Sequence, residues 1–160
     1  MKKNKSLVFT MVIAASGFFL SCGSAQGIGA SMSDRQINQQ IKETIAKVRE
    51  GATPTIRDDA AQRLADLTRT VGPKEVDRKN IRDIVSLLDL PDGRLWVATS
   101  LGNIGPRARI AIPKLQELMA VEDCRQVSMS ASLAIRRALE NMGVTPPPFP
   151  PPLPGPCPKP

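Results

Sequence analysis

The stretch Leu101–Leu115, LGNIGPRARIAIPKL, carries two signals that conflict if it is one helix. Its apolar residues recur at helical spacing, yet Pro106 and Pro113 interrupt it. Pro106 follows Gly105, and a glycine that can take a left-handed conformation before a proline that cannot continue the helix is a stop signal. Pro113 is different. In a helix starting near Arg107 it is the seventh residue, lacks an amide hydrogen, and must either kink the helix or mark a late start. The stretch therefore reads as a seam between two helices, with Pro113 expected to bend the second.

On both sides of this seam the chain shows helical periodicity, with no convincing strand pattern between residues 34 and 142. In DRQINQQIKETIAKVRE, Ile37, Ile41, Ile45 and Val48 fall on one face, and Gly51 ends the helix. TPTIRDDAAQRLADL places Ile56, Ala60, Ala61, Leu64 and Leu67 on an inner face, with Thr53 as cap and Pro54 in the first turn. A second pair comes next. Ile81, Ile84, Val85, Leu87 and Leu88 predict an apolar helix, Leu90-Pro91-Asp92-Gly93 a turn, and RLWVATSLGNIG the next helix. A third pair runs from about Pro106 to Ala120 and from about Gln126 to Asn141. Superposing the second helices aligns Leu64 with Leu101 and Ile135, at offsets of 37 and 34 residues. The last unit also admits Leu139 in place of Ile135, at an offset of 38. A period in this range built of helix pairs predicts a solenoid, because a single pair cannot bury its apolar face.

Those residues resemble the HEAT repeat family, in particular its short bacterial form. The best match is Arg94, Val97-Ala98, Leu101-Gly102 and Ile104-Gly105, with Ala111-Ile112-Pro113 opening the next unit. The resemblance implies an all-α fold, a short α-solenoid of about three helical hairpins over residues 34–142, and a role in binding another protein. Some bacterial proteins of this type resemble bilin lyases, so an enzyme or enzyme subunit is the alternative it implies. Two positions depart from the pattern. Gly93 stands where a branched apolar residue is expected and Ser128 where an arginine is, so any polar ladder between units is expected to be incomplete.

The two ends of the chain read as addresses or spacers. Residues 1–25 form an export signal: Lys2, Lys3 and Lys5, an apolar run of 14 residues from Leu7 to Leu20, then small residues. The run is short of the roughly 20 residues that span a bilayer. Phe19-Leu20-Ser21-Cys22 resembles a bacterial lipobox, with Cys22 as the lipidation site. Cleavage before Gln26 by an ordinary signal peptidase is the other reading, and a retained anchor the third. If Cys22 is acylated, Gly23 rather than Asp after it resembles lipoproteins of the outer membrane, and two or more acyl chains would attach the protein to the membrane stably. Residues 26–33 are a linker. Residues 143–160 form a proline-rich tail, with ten prolines between Pro146 and Pro160, read as a semi-rigid disordered spacer or as a docking ligand for an aromatic groove. Cys124 and Cys157 either pair across an oxidising periplasm or stay free.

Composition narrows the function classes. The net charge is +7, and removing the three lysines of the leader leaves +4, weak support for nucleic acid and weaker once export is considered. There is no His, which removes the commonest general base and metal ligand. No cofactor is called for, and no catalytic pair stands out. Asp58 and Asp59 are adjacent and point about 100° apart on a helix, and Arg136-Arg137 reads as a solvated pair or a phosphate contact. The candidate partner surface is the outer stripe of the second helices: Asp59, Gln62 and Asp66; Trp96, Thr99 and Asn103; Ser130, Leu133 and Arg137. Trp96 is its informative member, either an interface anchor or a core filler. The expectation is a non-catalytic scaffold or adaptor of the bacterial cell envelope, at the outer membrane or soluble in the periplasm, with an envelope protein as partner.

Overall fold

Three of the helices begin where a side chain accepts from one of their first free amides. In the computed structural model, which describes residues 33–72, 76–125 and 129–149, α1 (Asp34–Glu50) starts at Ser33. Ser33 Oγ accepts from the Gln36 amide while the Gln36 side chain accepts from the Ser33 amide, a reciprocal capping box. Thr53 Oγ1 accepts from the Ile56 amide at 3.3 Å to open α2 (Pro54–Val71), with Pro54 at the position where a missing amide hydrogen costs nothing. Asp77 does the same for α3 (Arg78–Ser86), accepting from Asn80 N at 2.7 Å. A 3₁₀ turn over Leu87–Asp89 closes α3, and α4 (Arg94–Ile104) comes after it. The remaining helices are α5 (Ile112–Arg125) and α6 (Met129–Asn141), so the described residues are all-α, with no strand among them.

The export signal with Cys22, the linker apart from Ser33, Cys157, the tail from Pro150 onward and the side chain of Cys124 lie outside the described residues. Among the described residues no helix is long and apolar enough to cross a membrane.

α1 packs on α2 and α5 on α6, while α4 lies between α2 and α6 and touches α3. That central position explains the composition of α4. Val97, Ala98, Ser100, Leu101, Gly102 and Ile104 are all buried, and its one charged residue, Arg94, is buried too. The α1 face predicted from spacing is buried residue for residue. In α2, Ile56 departs from expectation and is half exposed, because its neighbour Arg57 is turned to the junction with the next loop and residues one apart face about 100° apart.

Small residues set the spacing between the second helices. A Cβ on Gly102 would lie 3.1 Å from Ala138 Cα, so α4 and α6 meet almost backbone to backbone. Gly93 resolves one departure from the repeat pattern. It caps α4 at φ 75, and a Cβ there would fall 2.8 Å from Ala61 Cβ, so a branched residue has neither the backbone angle nor the room.

The seam at Gly105–Pro106 is present, with Gly105 at φ 64. The segment Gly105–Ala111 is 3₁₀ with a break at Ala108 (φ −91, ψ 15), and α5 starts only at Ile112. Pro113 is thus the second residue of α5 and bends nothing. Of its two readings the late start holds, because in the first turn its missing amide hydrogen would have had no partner.

The register of the last pair is also decided. Asn103 Nδ2 donates to the Ala65 carbonyl at 2.9 Å, and Asn141 Nδ2 donates to the Gly102 carbonyl at 3.1 Å. The two asparagines are 38 residues apart and their acceptors 37, so Leu139, not Ile135, is the counterpart of Leu101. At that offset Ser132, not Ser128, stands in the arginine position.

Candidate functional site

The nine residues of the predicted stripe do not share one place. Trp96, Thr99 and Asn103 lie on one face of α4, and Leu133 and Arg137 on the facing side of α6, where together they line a groove of about 480 Å³. Its floor is Gly102, Ala134 and Ala138, the residues that bring the helices close. Asp66 turns away instead. It lines the space between α1 and α2 with Lys47 and Arg63, and pairs with Arg69 at 2.7 Å. Asp59 and Gln62 are exposed on α2 and line neither space. Ser130 lies where side chains are not described.

Within the groove most polar groups are already engaged. Thr99 Oγ1 donates to the Leu95 carbonyl at 2.8 Å, one turn back in the same helix. The Asn103 amide bridges to α2, donating to the Ala65 carbonyl and to Thr68 Oγ1. Trp96 is half-buried against the core, and its Nε1–H donates to Asp58 Oδ2 at 3.2 Å. Asp58 therefore has a structural partner, and the indole is both wall and tether, neither a free anchor nor a filled core position. Leu133 is 40% exposed on the opposite wall. Arg137 is exposed at the rim, with no ion pair to another described residue.

Besides the three floor residues, Leu95 and Asn141 also line the groove without belonging to the predicted stripe. Asn141 is reached through the register: counted from Leu139 it occupies the place that Asn103 holds relative to Leu101. Leu95 precedes Trp96 and gave no separate signal.

Arg136 overturns the reading of Arg136-Arg137 as a solvated pair. It is 5% exposed, and Nη2 donates to Asp123 Oδ2 on α5, whose carboxylate also accepts from Ser132 Oγ. The two arginines sit on opposite sides of α6's line of contact, one inward and one on the groove rim.

An apolar trough between two helices, walled by an indole and a leucine and edged by one cation, can seat an apolar side chain with an acidic group beside it. It holds no nucleophile beside a base. Among the described residues no cluster of three metal-ligating side chains forms. No family model, no curated protein and no solved structure matches this chain.

Proposed function

We propose that the protein is a non-catalytic adaptor of the bacterial cell envelope that binds another protein through the groove between α4 and α6. The observation that carries this reading is the groove itself, with Leu133 and Arg137 exposed and the floor reduced to glycine and alanine. The partner element it suits is a segment presenting an apolar residue next to Asp or Glu. The serial packing of α2, α4 and α6, with asparagine and arginine contacts repeated from one to the next, supports a short HEAT-like solenoid as the scaffold. The lysine-rich start and the Cys22 lipobox support export and a lipid anchor.

The partner is tested by placing a photo-crosslinking amino acid at Leu133 and, as a control, at the exposed Ile110 in living cells. The adaptor reading expects a discrete adduct from position 133 only, lost on Arg137→Glu. Adducts from neither position, or equally from both, would contradict it. The anchor is tested separately: Cys22→Ala should move the protein from the detergent-soluble membrane fraction to the soluble one, and an unchanged distribution counts against lipidation.

A further inference from the structure

Each of the second helices carries an arginine that reaches forward to a later part of the chain. Arg57 on α2 donates back to the Gly51 carbonyl at 2.7 Å and forward to Asp92, in the loop before α4, at 2.9 Å. Arg94 on α4 donates back to the Leu88 carbonyl at 3.1 Å and forward to Glu122 on α5 at 3.0 Å. Arg136 on α6 reverses the order of partners: it donates back to the Asp123 carboxylate on α5 and forward to a backbone carbonyl, with no further helix to receive it among the described residues. The chain instead turns at Gly143 (φ 85), where the Val144 amide donates to the Leu139 carbonyl at 2.9 Å, and comes back along α6. The Pro147 carbonyl accepts from Arg136 Nη1, and the Phe149 ring lies 3.9 Å from the guanidinium carbon.

We propose that the α5–α6 end of the domain is a binding site for a proline-rich peptide carrying an aromatic residue, occupied in this chain by its own segment Thr145–Phe149. Prolines have no amide hydrogen, so carbonyl oxygens are the backbone groups such a peptide offers, and an extended polyproline path leaves them free to accept. A guanidinium suits both halves of the ligand, because its planar fork donates to the carbonyl while its face stacks on the ring. Asp123, buried beside it, fixes the fork by taking Nη2. Arg136 Nε is buried with no acceptor among the described residues. The site thus holds a donor that the resident segment does not use, and a peptide supplying one more acceptor competes with it. The occupant is the chain's own segment because Gly143 and Val144 lead it directly onto Arg136, at an effective concentration that a free peptide must overcome. The site is separate from the α4–α6 groove and does not rest on its function.

The test uses the full chain and a fluorescent peptide of the sequence Thr145 to Pro152, read by anisotropy. Wild type, with the site filled, binds it weakly, and Phe149→Ala binds it at least tenfold more tightly. A peptide with alanine in place of its phenylalanine binds neither. In the Phe149→Ala background, Arg136→Lys keeps the charge opposite Asp123 but removes the fork, and peptide binding is lost while helicity by circular dichroism stays. The proposal is overturned by equal binding to wild type and Phe149→Ala, by no binding to either, by full binding of the alanine peptide, or by binding that survives Arg136→Lys. Should Arg136→Lys fail to fold, the two peptides compared on Phe149→Ala decide alone.

Discussion

Arg94 and Arg136 are both buried, and each faces one of two consecutive carboxylates on α5: Glu122 looks toward α4 and Asp123 toward α6. The difference lies in what completes each guanidinium. Arg94 is enclosed by regular structure, with the Leu88 carbonyl within the 3₁₀ turn after α3 and Glu122 on the next helix. Arg136 is enclosed by α5 on one side and by the chain beyond α6 on the other, and one of its donors has no acceptor among the described residues. An internal junction inherits its acceptors from the neighbouring helices. At the terminal junction the tail has to supply them.

Breaking the internal site should therefore cost the most. Glu122→Ala leaves Arg94 charged and unpaired in the interior, and a loss of about 3–5 kcal/mol is expected from urea denaturation. Asp123→Ala should cost less, about 2 kcal/mol, because Arg136 keeps the Pro147 carbonyl and lies beside chain that can move aside to admit water. Equal losses would erase the distinction between the two junctions.

The asparagines sharpen the same contrast on a smaller scale. Asn103 is half-buried and its amide satisfies two acceptors on α2, whereas Asn141 is exposed and reaches one on α4. Asn103→Ala is expected to cost about 1–1.5 kcal/mol and Asn141→Ala about 0.5 kcal/mol in the same assay. A larger loss at Asn141 would contradict the ranking.

How much of this the sequence discloses depends on how local the signal is. Thr53 before Pro54 and Gly105 before Pro106 are legible because a cap and a helix stop are properties of two or three adjacent residues. The register of α6 is not legible. Ile135 and Leu139 are one turn apart and both apolar, so a helical period is blind to a slip of four residues, and only the amides of Asn103 and Asn141 decide it. Five of the nine candidate surface residues meet in one groove, because spacing within a helix does carry over. Asp66 escapes it, since which side of α2 faces α1 depends on packing. The roles of Trp96 and Arg136 are hidden for a different reason: their partners Asp58 and Asp123 lie 38 and 13 residues away, and nothing near either residue announces them.

The smallest effect concerns the other side of α5. Lys114 is raised above the usual lysine range chiefly by its hydrogen bond to Asp89, with the charges of Asp89 and Glu117 adding to it. A folded value above the unfolded one means that this contribution is complete below about pH 10.5 and disappears as pH rises through the folded value. Lys114→Met should cost at most a few tenths of a kcal/mol at this solvent-exposed pair, unchanged across neutral pH and gone at strongly alkaline pH. A deficit that grows with pH would contradict that sign.

The tail completes Arg136 as the helices complete Arg94, and a pair of double-mutant cycles on stability tests this directly. Phe149→Ala combined with Arg136→Met should show a coupling of about 0.5–1 kcal/mol, the size of a cation–π contact, while Phe149→Ala combined with Arg94→Met should be additive. Additivity at Arg136, or the same coupling at Arg94, would contradict the account.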